Sequence, residues 1–371
     1  MGEICVVFLL RGLSACRLSW QGSAWVTSPT LERFAARSKV FDNHIASAID
    51  PSDVDHVLFP EELVSALIAN GTELIWMSDG VSSCRVGFSH FHCGSTDPLA
   101  WAIELSKFIK RNNSLGKLIV IEINQGLPPW KLNKAQCDQF FPYLNKHLSS
   151  YSEGKICQFP GIETGDEFVE ANPWVGDLPN HVDSVDDLTH LRIIETQAAC
   201  LYGIDLFVEP MFQVLNSDIG VMVLGDRGLE IGDRTNLGLD NPWPWYSRVH
   251  VPCIWHDPRG DLQPQRICSF SQHGDVAETF GKFLLSNFAS SQAKFFDLLE
   301  LAKADTKSCI QRPILSRGLG DCLGIRFGDW SLMNGNNETP KLFKIPQDRW
   351  EVLDVASQHL DIVEQMMTCI Y

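Results

Sequence analysis

What most restricts the fold is a set of short, apolar-dominated runs at 4–10, 117–123 and 219–224, separated by stretches long enough for helices. A strand with one wet face alternates apolar and polar residues, whereas a strand apolar at nearly every position is covered on both faces. Sheets covered on both faces are mostly parallel, because each crossover lays a helix against one side or the other. The chain is therefore expected to fold as α/β, with a mostly parallel central sheet and helices on both faces.

The intervening segments carry matching signals. Ser28 and Pro29 look like an N-cap and first helical residue, with Leu31, Phe34 and Ala35 as the buried stripe. A helix over 60–70 runs through Leu63, Leu67 and Ile68 and ends at Gly71 in the C′ position. Asp97-Pro98 opens a helix through Leu105, Phe108 and Ile109. A longer pattern from Leu188 to Leu215 contains Pro210, which is expected to kink or end it. Further strands are expected at 39–46, 73–77 and 250–255, and a helix at 275–288.

Near 306 the pattern changes to short strand candidates at 322–327, 329–333 and 341–344, with a hairpin turn at 334–337. A final helix carries Leu360, Val363, Met367 and Ile370. Two units follow: an α/β core over 1–305 and a small α+β subdomain over 306–371. Residues 152–186, rich in Gly, Pro, Asp and Glu, read as a surface excursion.

Charge and cysteine usage limit the partners. The 371 residues include 30 Lys+Arg against 46 Asp+Glu, a formal net charge of −16. Nucleic acid and anionic membrane surfaces need a surplus of Lys and Arg, so neither is expected as a partner. The first apolar run is short, lacks a basic flank and runs into Arg11, and no run has the length of a membrane span. Twelve cysteines are scattered along the chain without a Cys-x-x-Cys pair, which suggests free thiols in the reducing cytoplasm.

Ligands of such sheets bind at the carboxyl ends of the strands. Arg11, Asp79, residues 124–128, Asp226 and Arg227 fall there. Around these positions several segments resemble the sulfatase family of the alkaline phosphatase superfamily. Arg11-Gly12-Leu13-Ser14-Ala15-Cys16 after the first strand, and Ser28-Pro29-Thr30-Leu31-Glu32, are similar to its first two motifs. Leu224-Gly225-Asp226-Arg227-Gly228 with Gly232-Asp233-Arg234 looks like its Ser-Asp-His-Gly strand and following loop. Arg248-Val249-His250-Val251-Pro252, Ile325-Arg326-Phe327-Gly328-Asp329-Trp330 and the 342–354 segment are similar to later ones, in the same order.

The resemblance implies a divalent cation, usually Ca²⁺, held by acidic residues at strand ends. It also implies a formylglycine made from Cys or Ser in a Cys/Ser-x-Pro-x-Arg motif. This chain departs from both. Leu10, Arg11 and Cys16 stand at places that are acidic in the family. In Ile49-Asp50-Pro51-Ser52-Asp53, Ile49 replaces the oxidisable residue and Asp53 the arginine. Asp226 remains, but its partner is Arg227, and residues 125–130 lack the substrate-segment His.

A non-catalytic protein is therefore expected, with no catalytic residue and a ligand crevice of Arg11, Ser14, Asp79, Asp226 and Arg227. Asp226 and Arg227 are expected to pair there with Arg11 and Asp79. No metal or cofactor is expected; Asp226 would be a ligand if there were one. A small anionic ligand or a protein partner suits the crevice, with Arg11 and Arg227 as its positive element. The alternative is a sulfuric or phosphoric ester hydrolase with a rearranged Ca²⁺ site, and a third reading is an inactive subunit beside an active homologue.

Other groupings carry less. His90-x-His92-Cys93 has no third ligand and reads as a packed surface loop. Asp226, Asp233 and Asp240 lack the EF-hand order and read as a solvated loop. Ser14 and His44 lack the elbow of a hydrolase dyad. Trp130, Trp174, Trp243 and Trp245 beside prolines form either a partner surface or anchors into the core.

Overall fold

The computed structural model describes residues 3–23, 26–79, 86–94, 96–111, 115–130, 132, 178–179, 181–232, 234, 236–259, 263–285, 288, 295–306, 308–335, 338–345 and 347–369. Its centre is an eight-stranded sheet built from β1 (Ile4–Leu10), β2 (Lys39–Ile45), β3 (Thr72–Ser78), β4 (Ser89–His92), β5 (Gly116–Ile123), β6 (Gly220–Gly225), β9 (Cys253–His256) and β10 (Gln265–Gln272). The two short strands β7 (Glu230–Ile231) and β8 (Leu237–Gly238) pair with each other. The order across the large sheet is β10-β2-β9-β6-β1-β5-β3-β4. Every pairing is parallel except those of β9, which runs antiparallel to β2 and β6.

β1 lies in the middle, hydrogen-bonded to β5 and β6, and its unbroken apolar run follows from that place. Val6, Phe8 and Leu10 point into one layer and Cys5, Val7 and Leu9 into the other. The first layer is supplied by α1 (Pro29–Ala35), by α4 (Pro98–Lys110) and by the helix Asp187–Gln213. The second is supplied by α2 (Pro51–Leu58), α3 (Glu61–Ala69) and the helices His273–Leu284 and Leu298–Asp305.

The start of α1 is capped from outside its own sequence. Ser28 makes no side-chain cap; the Asp205 carboxylate accepts from the N–H groups of Thr30 and Leu31 at 3.0 and 2.8 Å. Two of the orphan donors of the first turn are thereby satisfied across the layer.

The antiparallel sheet expected in the C-terminal part is present, in the order β11 (Ile314–Arg317), β12 (Leu323–Phe327), β13 (Trp330–Asn334) and β14 (Lys341–Lys344). Arg317 ties it to the core, donating its N–H to Ser47 at 2.9 Å and accepting from Ile49 at 3.0 Å.

Several expectations need correction. Pro210 does not end its helix, which runs on to Gln213; one proline near the last turn removes a single donor while Val208 and Met211 stay buried. Residues 89–92 are an edge strand rather than a loop, with His90 and His92 exposed. The last helix, Leu360–Met367, buries Met366 and leaves Leu360 exposed, so its apolar face is rotated from the expected stripe. Ile370 lies outside the described residues. Trp130, Trp243 and Trp245 are buried anchors, leaving no partner surface on those three; Trp174 lies outside the described residues, as do 152–177 of the expected surface excursion. α2, β4 and β11 were not anticipated, and α2 matters for the site.

Candidate functional site: a guanidinium among carboxylates

At the carboxyl end of the sheet the chain leaves β1 at Leu10, and Arg11 follows at once, its N–H bonded to Ile123 O at 2.9 Å. Glu122 lies on the adjoining strand β5, and Asp226 follows β6 on the other side. Asp55 comes from α2, which Asp50 starts as N-cap: its Oδ1 accepts from Ser52 N at 2.8 Å and Ser52 Oγ at 2.5 Å. The Ser52 hydroxyl, first among several donors, pulls the Asp50 carboxyl below its ordinary pKa. Pro51 occupies the first turn, and helical spacing then puts Val54, Asp55 and Leu58 on the buried face.

These elements bring three carboxylates onto one guanidinium. Arg11 Nε and Nη2 donate to Glu122 Oε1 at 2.8 and 2.7 Å. Nη1 and Nη2 hold Asp55 in a fork at 2.8 and 3.0 Å, and Nη1 also reaches Asp226 Oδ2 at 3.3 Å. Arg11 is 4% exposed. Burial opposes its charge, but Asp226, Asp55 and Glu122 outweigh that and raise its pKa further above the ordinary value. The bidentate pairing with Asp55 is the arrangement a planar guanidinium favours and an ammonium cannot make.

The carboxylates have their own supports. Asp226 Oδ1 accepts from the N–H groups of Gly12 and Arg227 at 2.9 and 2.6 Å, and Oδ2 from Arg227 Nη1 at 3.0 Å. Glu122 Oε2 accepts from Trp76 Nε1 at 3.0 Å. Gly126 packs so closely on the Arg11 carbonyl that no Cβ would fit, which accounts for the glycine in this loop. Beneath the cluster, His273 accepts from Ser47 N at Nδ1 and donates from Nε2 to Gly225 O at 3.1 Å. Burial drives its pKa down to about 4, so the ring is neutral.

The second arginine differs from the first. Arg227 is 5% exposed and bonds Asp226 through Nη1, while its Nε has no hydrogen-bond partner among the described residues. It lines an open crevice of about 480 Å³ together with Arg11, Ser52, Asp55, Trp76 and Asn124. A second hollow of about 620 Å³ adjoins it through Asp50 and Ser52 and extends to Arg317 and Asp321.

Of the expected crevice residues, Arg11, Asp226 and Arg227 come together. Ser14 does not join them: it is fully buried and donates to Ser247 O at 2.5 Å, on the far side of the turn after Arg11. Asp79 is exposed and accepts from Asn124 Nδ2 at 2.8 Å instead of pairing with an arginine. Asp55 and Glu122 take the place expected for it. Ile49 is buried, and no dyad forms at Ser14, since His44 bonds Ser271 Oγ at 2.9 Å. Asp233 lies outside the described residues, and Asp240 is exposed.

No protein-family model and no curated protein matches the sequence. Solved structures do match. One is a protein in complex with its substrate D-glucosamine-2-N,6-O-disulfate, at TM-score 0.74 and 11% identity, over 100% of this chain and 97% of that one. Another is the phosphonate monoester hydrolase of Agrobacterium radiobacter, at TM-score 0.70 and 12% identity, over 99% and 95%. A third is a 2-O GAG sulfatase, at TM-score 0.68 and 12% identity, over 100% and 91%. The chain thus has a sulfatase-like fold.

That fold implies a divalent cation, and the residues here do not fit one while Arg11 is in place. A hard cation needs several carboxylate oxygens free to turn toward it. Here the oxygens of Asp55, Glu122 and Asp226 are bonded to a guanidinium already carrying the positive charge. Among the described residues, no group of three or more His, Cys, Asp and Glu side chains is placed to hold a metal ion.

Proposed function

We propose that this chain is a sulfatase-family protein that does not hydrolyse esters and that holds the oxyanion group of a small ligand in the crevice over Asp226. One observation carries the reading: of the two guanidiniums there, Arg11 is fully engaged by carboxylates, whereas Arg227 keeps a buried Nε without a partner among the described residues. The first replaces the metal that activates a nucleophile. The second offers an unused donor on a residue that lines the crevice, as Asn124 and Ser52 also do. Ile49, at the position matching the nucleophile, has no atom that oxidises to an aldehyde.

The test has two arms. Purified protein is assayed with aryl sulfate and aryl phosphate esters across pH and with added divalent ions; no rate above background is expected. Turnover abolished by Asp226→Asn would instead establish the hydrolase alternative. Binding of inorganic sulfate and phosphate is then measured by calorimetry in the wild type and in Arg227→Gln. Loss of about tenfold in affinity in the variant is expected; equal affinity in both, or no binding in either, overturns the anion site.

No described helix is long and apolar enough to cross a membrane. The nine cysteines among the described residues are all free thiols, which supports a place in the reducing cytoplasm. Labelling of those thiols in intact cells tests the compartment.

A further inference from the structure

β10 stands at one end of the large sheet, and the chain returns beside it after the helix Leu298–Asp305. Hydrogen bonds tie the two segments at successive points. Gln265 Nε2 donates to Ala302 O at 3.1 Å, and the N–H groups of Cys268 and Ser269 donate to the Asp305 carboxylate at 3.1 and 2.7 Å. Ile310 N donates to Ser269 Oγ at 2.8 Å, and Phe270 N to Ile310 O at 3.1 Å. Positions rise together on both sides, so Cys309 falls beside Cys268 and Ser269. Ser269 is buried and Ile310 packs on the second layer, whereas the residue before each, Cys268 and Cys309, is exposed. Of the nine cysteines among the described residues, these two are the exposed ones, and both are free.

We propose that Cys268 and Cys309 are a thiol switch, forming a reversible disulfide that staples the segment leading into the antiparallel sheet onto β10. Segments joined by main-chain hydrogen bonds lie about 5 Å apart, and a disulfide spans Cα atoms roughly 4.4–6.8 Å apart. Residues 308–313 lead to β11, and Arg312 among them pairs with Asp275 in the capping box of the helix His273–Leu284. The staple therefore fixes the joint between the α/β core and the small sheet. The oxidant is a small disulfide such as glutathione disulfide. One cysteine thiolate attacks it and releases glutathione, leaving a mixed disulfide; the second thiolate attacks the protein sulfur of that bond and releases the other glutathione. Two protons leave the cysteines and end on the two glutathione thiols, and the same two electrons reduce the oxidant. Burial and then Asp305 raise both cysteine pKa values, with the Cys268 thiol adding to the rise at Cys309, so exchange is slow at neutral pH. A reversible bond of this kind suits a compartment that is reducing most of the time.

The experiment uses the full chain, reduced with dithiothreitol, desalted and equilibrated at mildly alkaline pH in glutathione buffers of rising disulfide fraction. The protein is then alkylated and its peptides mapped by mass spectrometry without reduction. Wild type is expected to give a Cys268–Cys309 cross-link within one chain, at a glutathione disulfide fraction about tenfold lower when folded than in urea. The cross-linked protein is expected to melt about 3 °C higher than the reduced one. Cys268→Ser and Cys309→Ser are expected to form no such cross-link and to melt alike in both buffers. Reduced wild type blocked with N-ethylmaleimide makes the same comparison without a substitution. Glutathione adducts at either residue without a cross-link overturn the proposal, as do a cross-link to another cysteine in its place and equal formation in folded and unfolded chain. A cross-linked wild type that melts no higher than the reduced protein also overturns it, because the segment would then not be stapled.

Discussion

Arg11 and Arg227 meet at a single atom: Asp226 Oδ2 accepts from one guanidinium at 3.3 Å and from the other at 3.0 Å. Two buried like charges this near are tolerated only because a carboxylate lies between them. Replacing Asp226 by Asn keeps the shape and removes the charge, leaving Arg227 without an ion-pair partner in the site. Removing one member of a buried ion pair costs about 3–5 kcal/mol, and Asp226→Asn is expected to lose that much in urea unfolding. A loss under about 1 kcal/mol would show the pairing to be as weak as a surface one.

Lys117 acts as a cap for a helix it does not belong to. It enters β5 beside the end of α4, and its buried ammonium donates to Phe108 O at 2.7 Å, Ile109 O at 3.2 Å and Arg111 O. Lys117→Met removes that donor from Ile109 O and Arg111 O and leaves Phe108 O with the Arg111 N–H at 3.4 Å, at a cost of about 1–3 kcal/mol. Amide exchange in the last turn of α4 should accelerate in the variant, and unchanged exchange would refute the cap.

Asp205 does the same for the start of α1. Asp205→Ala is expected to cost about 1–2 kcal/mol, with amide exchange at Thr30 and Leu31 rising most. Because Asp205 is buried and its pKa raised by that burial, Asp205→Asn should retain part of the stability at neutral pH. Equal losses in the two variants would mean that the isosteric amide keeps none of the cap, so that the carboxylate's two hydrogen bonds, not packing, set the cost.

His250 gives a pH signature. It donates from Nε2 to Asp42 O at 2.8 Å and stacks on Tyr246 at 4.5 Å. Burial lowers its pKa from 6.5 to about 4, with Arg326 and Arg349 adding to the effect. Unfolded chain takes up the proton near 6.5 and folded chain resists it to about 4, so the contribution is whole above 6.5 and lost as pH falls through that window. Asp275, raised to about 6 by burial, acts in the opposite sense, so the wild-type curve alone mixes the two. The stability of wild type minus that of His250→Gln is therefore the quantity to follow, and it should fall by at most about 1.4 kcal/mol per unit from pH 6.5 to 4.5. A difference independent of pH would show that His250 is not buried neutral.

The sheet could be read from the chain because double burial leaves a plain trace: Cys5 to Leu10 has no polar position, and its alternate residues do face two layers. Arg11, Asp226 and Arg227 could be found because they directly follow strand ends. Glu122 escaped notice because it sits inside an apolar strand, where its neighbours dominate the pattern. Asp55 is hard to see in the sequence because 49–53 resembles a nucleophile segment, although Asp50-Pro51 is itself a helix-start signal. Ser14 was misplaced because the short turn after Arg11 carries it behind the sheet end, which no local spacing reveals. The reversed direction of β9 depends on the path of 226–252 and leaves no mark in the strand itself.

The Arg11 cluster joins positions 11, 55, 122 and 226, partners 44, 111 and 215 residues apart. Its closure therefore belongs late in folding, since distant contacts form only after the loops between them have been drawn in. During synthesis on a ribosome, Arg11 emerges first and meets Asp55 and Glu122 well before Asp226 is made. For that interval the nascent chain carries an unfinished sheet edge at β1, awaiting β6.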